Sequence, residues 1–443
     1  MLKDTFCSSP WFHLRIDPAG RYLPCRWSSH RDTTGYTVAN TTIFEFMNSD
    51  IMQGIRARML NGDEQSMCSA CYYEDANNKV SGRARQLLKS AITITDFDYT
   101  FSASPHWAEF KHSYETAGHT NNQPVDLQID LGNTCNSACV MCTPIYSSRL
   151  ATDYVKLNKI NSKLFSQHTT GKNWTDDPAI VTKFVEELKQ ISNIRYIHFL
   201  GGETLYLQSF YNICNQLIDA GLAKDISLGT TTNCTVYTNE LEHIIKNFKQ
   251  VHLGLSVEAI HPVNDYVRYP SEIGKVIEVI NKFISLRNST NLHLALRITP
   301  NILTVLHLDQ MFEFMLVNNI TAESCNVLHE PNCLRFELLP PQLLQDALDR
   351  ICAVISHYNL KENAQIINRR DSNRNTEIIT NVIFEYKNLF ENYLTNYVSL
   401  VPIDLEQQRY SLVEFIKAFE SIRANSILEV LPEYEEFLRR YRY

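Results

Sequence analysis

The sequence is most informative first in what it lacks. Twelve cysteines in 443 residues are too few for a disulfide scaffold, so the thiols are expected to stay reduced. There is no basic excess: 41 Lys and Arg stand against 49 Asp and Glu, a formal net charge of −8. That balance gives no electrostatic footprint for coating nucleic acid or anionic lipid, so neither is expected as a partner. No uninterrupted apolar run approaches the roughly 20 residues that a spanning helix needs. Residues 1–20 lack the basic-then-apolar order of an export signal, and a cytoplasmic location is expected. No internal repeat or long low-complexity tract stands out. What is present, 44% hydrophobic and 20% charged residues, suffices to bury a globular core and exceeds a single minimal domain.

From residue 125 onward, short apolar strands alternate with amphipathic helices. Strands are expected at 125–131, 196–200, 225–229, 250–257, 292–298 and 324–328. Helices are expected at 147–159, 178–191, 205–220, 239–249, 271–286 and 306–317. Six strand-then-helix units require right-handed crossovers and a parallel sheet buried on both faces. The fold class is α/β, a partial (β/α)6 barrel of the TIM type. No Gly-x-Gly-x-x-Gly turn follows any strand, which weighs against a nicotinamide-binding doubly wound sheet. Ahead of the barrel, 11–25 reads as a hairpin turning at Asp17-Pro-Ala-Gly20, and 44–60 as one helix. The stretch 93–124 is polar and irregular and is expected to be a linker between a small amino-terminal module (1–92) and the barrel (125–340). After Pro340-Pro341 the chain becomes a helical extension, 341–443, with segments at 343–355, 378–393 and 405–423, read as packing or assembly structure.

The chemistry concentrates in Asp130-Leu-Gly-Asn-Thr-Cys135-Asn-Ser-Ala-Cys139-Val-Met-Cys142-Thr-Pro144. Three thiols at C-x3-C-x2-C follow the first barrel strand, at the end where such barrels keep their active sites. Three thiolates can hold three irons of a [4Fe-4S] cluster and leave the fourth without a protein ligand. Zinc is the alternative, but a closed zinc site wants a fourth Cys or His, and the next histidine is His168. The remaining cysteines, Cys214, Cys234, Cys325, Cys333 and Cys352, sit among apolar neighbours and read as core filler.

This triplet, at this place in the barrel, resembles the radical S-adenosylmethionine (SAM) superfamily. The resemblance implies that the open iron chelates the amino and carboxylate groups of SAM. An electron from the cluster then cleaves the sulfonium, and the resulting 5′-deoxyadenosyl radical abstracts a substrate hydrogen. Met141 departs from the aromatic residue that many members carry before the last cysteine. Gly201-Gly202-Glu203 resembles the family's Gly-Gly-Glu motif, which receives the SAM amino group; by itself it also reads as a capped strand-to-helix turn. Ser256 and Glu258, with Arg268 ten residues after Glu258, resemble the fourth-strand motif, in which the serine meets the ribose and the arginine pairs with the SAM carboxylate. A buried hydroxyl and a surface charge are their plain alternatives. Thr232-Asn233 resembles the polar end of the family's third strand, or is a simple turn.

Cys7, Cys25, Cys68 and Cys71, interrupted by a hairpin and a helix, resemble the twitch module, a trimmed relative of the SPASM extension. That resemblance implies one fully ligated auxiliary [4Fe-4S] cluster suited to electron transfer, again with zinc as an alternative. The module usually follows the barrel; here it precedes it. An oxidoreductase-like radical SAM enzyme is therefore expected, with a redox-neutral isomerase or a peptide-modifying enzyme as alternatives and a non-catalytic zinc-binding scaffold as the rival of another class. An external electron donor such as flavodoxin or ferredoxin is implied. The substrate, a small molecule, a nucleoside or sugar derivative, or a peptide, is not specified. Arg297, His329 and Glu330 fall at expected strand ends where substrate contacts arise. His198 reads as a satisfied core histidine. Glu433, Glu435, Glu436, Arg439, Arg440 and Arg442 read as solvated helix faces.

Overall fold

The computed structural model describes residues 5–26, 28, 35–76, 81–89, 107–166, 171–322, 328, 330–362, 375–397 and 404–443. Cys325, His168 and His329, the strand expected at 324–328 (apart from Leu328) and the start of the 93–124 stretch lie outside the described residues. Among the described residues no helix is long and apolar enough to cross a membrane.

Among the described residues one eight-stranded sheet organises the fold, in the order β2-β1-β3-β4-β5-β6-β7-β8. Its strands are β1 (His13–Ile16), β2 (Tyr22–Leu23), β3 (Asp126–Asp130), β4 (Tyr196–Leu200), β5 (Ser227–Thr232), β6 (Gln250–Leu255), β7 (Leu292–Leu296) and β8 (Thr321–Ala322). Strands β3 to β8 run parallel in sequence order, as six right-handed units require. Between them lie Ser148–Ile160, Pro178–Gln190, Gln208–Asp219, Asn239–Asn247, Ile273–Arg287 and Leu308–Asn318. These helices begin where the sequence supplies caps: Ser147 accepts from Leu150 N–H, Asp177 from Ala179 N–H and Thr238 from Leu241 N–H, which satisfies donors the first turn leaves orphaned.

The expectation of a sheet buried on both faces is corrected. One face, with Leu127, Ile129, Ile197, Phe199, Leu228, Leu253 and Leu255, is apolar and fully buried. The opposite face carries Gln128, Tyr196, His198, Ser227, His252 and His293, and is in part only half-buried. Its polar groups satisfy one another: Tyr196 Oη lies 3.0 Å from His198 Nδ1, and Gln250 reaches both His252 and His293. Period-two alternation within short strands produces this division. His198 is thus a satisfied buried histidine, as its surroundings in sequence suggested.

The amino-terminal hairpin is part of the same sheet. β1 pairs antiparallel with β2 and parallel with β3, Leu14 opposite Leu127 and Ile16 opposite Ile129. The turn is built by Asp17, whose carboxylate accepts from Ala19 and Arg21 N–H, and by Gly20 at φ +80°. It is shorter than 11–25, because Trp11 and Phe12 belong to a helical turn, Ser9–Phe12, that precedes β1. The single helix expected at 44–60 is two, Ile43–Met47 and Asp50–Asn61. A Thr42–Glu45 capping box starts the first, and Ser49 caps the second by accepting from Met52 N–H; the continuous apolar spacing concealed that break. The stretch expected to be irregular contains a helix, Trp107–Glu115. Its Phe110 packs edge-on against both Phe6 and Trp11, with ring centroids 5.4 and 5.2 Å away, a contact between distant segments that local polarity does not signal.

The extension is helical as expected, over Pro341–His357, Asn375–Thr395 and Leu405–Ile422. It packs on the barrel: Phe165 stacks on Phe415 at 5.4 Å and meets Phe419 edge-on at 5.6 Å. Glu433, Glu435, Glu436, Arg439, Arg440 and Arg442 are exposed.

Candidate metal and cofactor site

The loop that follows β3 holds Cys135, Cys139 and Cys142, and its backbone is bonded at almost every step. A strap at Trp174–Asp176 secures its start: Trp174 Nε1 donates to the Asp130 carbonyl at 2.9 Å, Thr175 Oγ1 to the Leu131 carbonyl, and Asn133 N–H to Asn173 Oδ1. Between Cys135 and Cys139 every intervening carbonyl accepts from a side chain. Arg149 Nη1 donates to Asn136 (3.1 Å), Ser147 Oγ to Ser137 (2.7 Å) and Arg423 Nη2 to Ala138 (2.6 Å). Ala138 and Val140 N–H donate to the carbonyls of Tyr269 and Val267. The loop is therefore a fixed cradle, with its carbonyls turned outward to these donors.

The three thiols share this one loop, with Cys139 buried and Cys135 and Cys142 half-buried. Burial first, and then their mutual repulsion, pushes Cys142 up to about 12, while burial pushes Cys135 up to about 11 with Cys139 adding to it. Cys139 is raised chiefly by burial, with Arg268 opposing the shift. Thiols that are shielded from water and repel one another as anions are poor thiolates alone, and a bound cation offsets both penalties.

The other strand ends converge on this loop. Gly202 presses on it so closely that an added Cβ would lie 2.6 Å from the Asn133 carbonyl oxygen and overlap the Thr134 carbonyl; Glu203 N–H then donates to the Thr134 carbonyl. Gly201 approaches Gly132 and Leu207 more loosely. Glu203 is buried and accepts from Asn233 N–H (2.6 Å) and Leu205 N–H (3.2 Å), so the capping reading of this motif holds in the structure. Thr232-Asn233 is more than a turn: Asn233 Nδ2 donates to Asn136 Oδ1 at 2.8 Å and to Ser137 Oγ at 2.9 Å, both in the cysteine loop. Ser256 is half-buried at the end of β6, its N–H held by the Thr232 carbonyl. Glu258 is buried, accepts from Thr299 N–H and pairs with Arg268 Nη2. Arg268 Nη1 lies 3.7 Å from Cys139 Sγ, while its buried Nε has no partner. The surface-charge alternative for Arg268 is thereby excluded.

Residues 129–303 match the family model described as the Radical SAM superfamily. The chain carries a radical SAM domain. No curated protein matches it. Among solved structures it is similar to SuiB of Streptococcus suis bound to S-adenosylmethionine, at 13% identity over 81% of this chain and 71% of that one, TM-score 0.35. It is also similar to anSMEcpe with bound AdoMet, at 13% identity over 53% and 61%, TM-score 0.37.

The radical SAM domain is joined to the amino-terminal hairpin beside its cysteine loop. Arg15 of β1 holds Asp130 Oδ2 through Nη2 (2.6 Å) and Nε (3.2 Å), reaches the Tyr146 hydroxyl, and donates through Nη1 to the carbonyl of Arg26. Arg26 follows Cys25, which is half-buried against the core. Cys7, Cys68 and Cys71 interact with one another: burial raises all three, and Cys68 is pushed up to about 12 with Cys7 and Cys71 contributing. Arg83 opposes the shift at Cys7 and Cys68, and the Arg83 and Gly82 N–H groups bond Cys71. Among the described residues no group of three or more His, Cys, Asp and Glu is placed to hold a metal ion as the chain stands.

Cys214, Cys234 and Cys333 are buried core residues and Cys352 is partly buried. Arg297 is half-buried and lies across Gly254, where an added Cβ would meet its guanidinium carbon chain at 2.8 Å; Glu330 is exposed. Sequence reasoning missed Arg15, Asp130, Ser147, Arg149 and Arg423, which hold the loop. Ser147 alone carries a local signal, as the cap of an expected helix.

Glu203 makes the domain's stability pH-dependent. Burial raises its carboxyl from 4.5 to about 7, so between those values the folded chain keeps a proton that the unfolded chain has released. Stability therefore falls as pH rises through that window, by at most about 1.4 kcal/mol per pH unit. In iron-free protein, Glu203→Gln is expected to flatten the slope of urea-unfolding free energy between pH 5 and 7. An unchanged slope would assign the pH dependence elsewhere.

Proposed function

We propose that the protein is a radical SAM enzyme of oxidoreductase type, which cleaves SAM at a [4Fe-4S] cluster held by Cys135, Cys139 and Cys142 and oxidises its substrate. A second [4Fe-4S] cluster, held by Cys7, Cys25, Cys68 and Cys71, serves electron transfer. The observation that carries this reading is the loop of Cys135, Cys139 and Cys142 with Arg268 set against it, its Nη1 3.7 Å from the Cys139 Sγ and its buried Nε without a partner. The donor set suits a cluster with one open iron, and the orphaned guanidinium N–H suits a carboxylate.

When bound, the cluster supplies one electron to the SAM sulfonium, which yields a 5′-deoxyadenosyl radical able to take a hydrogen atom. The chain's own part is placement. Gly202 lets the β4 loop lie directly on Thr134. Glu203, anchored by two backbone N–H groups, and Gly201 line the position for the SAM amino group; Ser256 stands at that of the ribose. Glu258 fixes Arg268 by bonding its Nη2, so that the unpartnered Nε–H is oriented before ligand arrives. Arg15 supports the electron-transfer reading, since its bonds run from the residue after Cys25 to Asp130 and Tyr146, which flank the cysteine loop.

The test is anaerobic reconstitution followed by iron and sulfide quantitation and assay of dithionite-driven 5′-deoxyadenosine. Two clusters require about eight irons per chain. Stoichiometric zinc with no SAM cleavage would overturn the reading. Product analysis then separates its branches: a two-electron oxidation supports the oxidoreductase, an unchanged substrate mass an isomerase, and a modified peptide a maturase. Cys68→Ala is expected to reduce substrate turnover at least tenfold more than uncoupled SAM cleavage, because SAM contacts only the barrel site. Equal losses in the two assays would make the amino-terminal site structural.

A further inference from the structure

The helix Leu405–Ile422 ends on Arg423, a residue of the extension that is 5% exposed. Its Nη2 donates to the Ala138 carbonyl at 2.6 Å and to Asp153 Oδ2 at 2.8 Å. Its guanidinium carbon lies 4.3 Å from the Phe419 ring centroid and 4.7 Å from that of Tyr269, while Nε and Nη1 are buried without a hydrogen-bond partner. Ala138 directly precedes Cys139, and its N–H is taken by the Tyr269 carbonyl at 2.7 Å. Both polar backbone groups before the central cysteine are thus fixed, one from the strip that carries Arg268 and one from a residue 285 positions away in sequence.

Packing alone does not require an arginine there. A buried guanidinium is costly to desolvate, and an apolar side chain of similar volume is often no worse for stability. A cation is useful where negative charge has to be held, and this one is bonded to the carbonyl of the residue directly before Cys139. Charges and hydrogen bonds around cluster ligands set iron–sulfur reduction potentials.

We propose that Arg423 is a positioning residue for the radical SAM site: it locks the Ala138–Cys139 backbone and sets a fixed positive charge beside the Cys139 thiolate, so the carboxy-terminal extension tunes the potential of the cluster bound there. The proposal rests on the functional reading above. Because Asp153 shares the same Nη2, it opposes that charge, and the two residues act on the potential with opposite sign.

The test is an EPR-monitored redox titration of the reconstituted full chain, following the signal that changes when SAM is added. Arg423→Gln keeps a donor for Ala138 but removes the charge, and is expected to move the midpoint to a more negative value. Arg423→Lys is expected to restore it. Asp153→Asn keeps an acceptor for Arg423 and is expected to move it to a more positive value. Wild-type protein with a SAM-responsive cluster, and both neutral variants at the wild-type midpoint with full iron, would overturn the role of Arg423 alone. Wild-type protein with no SAM-responsive cluster would overturn the functional reading and the proposal together. If Arg423→Gln does not fold, Asp153→Asn decides: a positive shift supports the proposal and an unmoved midpoint overturns it.

Discussion

The combined substitution Cys135→Ala/Cys139→Ala/Cys142→Ala is expected to lower reconstituted iron from about eight to about four atoms per chain and to bring dithionite-driven 5′-deoxyadenosine formation down to background. The fold should survive, since the three thiols donate no hydrogen bond that holds an element in place: the loop is secured by its carbonyls through Arg149, Ser147 and Arg423, and by the Trp174 strap. Alanine also removes three thiols whose ionised forms desolvation and mutual repulsion disfavour. The iron-free variant should therefore unfold within about 1 kcal/mol of the iron-free wild type. Iron content that stays at the wild-type level would place the cluster elsewhere.

Gly202→Ala is expected to abolish iron binding at the same site while leaving every ligand in the sequence. The added methyl would meet the Asn133 and Thr134 backbone, which cannot rotate away as a side chain would. Either β4 or the start of the cysteine loop has to shift, and overpacking of this kind costs about 1–3 kcal/mol, with more where backbone is displaced. The shift also breaks the Glu203-to-Thr134 hydrogen bond, one residue before Cys135. Gly201→Ala is the control, because its nearest obstacle is the Leu207 Cδ1 at 2.9 Å, the end of a flexible side chain; it should cost under about 1.5 kcal/mol and keep its iron. Urea unfolding of iron-free protein and iron counting after reconstitution check both. Equal behaviour of the two variants would refute the close-approach explanation for Gly202.

Much of the barrel was legible because its strands are short apolar runs ended by helix caps. β4 matches its expected bounds at 196–200, and the helices agree within a few residues. Where local pattern and structure part, a long-range contact or a cap decided the outcome. Ser49 splits an apolar repeat that looks continuous, and Phe110 anchors a helix whose other residues give little sign of one. Parallel pairing of β1 with β3 leaves no trace in either segment alone. At the site, the cysteines, glycines and Arg268 were visible as motifs because their spacing is local. The arginines that bond the loop carbonyls were not: Arg149 sits in the first turn of a helix and Arg423 just past the end of another, and only folding brings their donors to residues 136 and 138. The commitment of Arg268 to Glu258 was likewise hidden, since spacing reveals which residues share a strand end but not how they divide their hydrogen bonds among themselves.

The place of β1 beside β3 also limits how the molecule can be divided. Cutting the chain at Val125 to obtain an isolated barrel would strip β3 of the strand it pairs with on that side and turn a covered strand into a bare margin, the kind of surface on which chains add to one another. It would also leave Asp130 buried without its arginine. The amino-terminal segment is thus a shield for the barrel's first strand as well as a bearer of cysteines, and dissecting the two roles calls for point changes within the intact polypeptide.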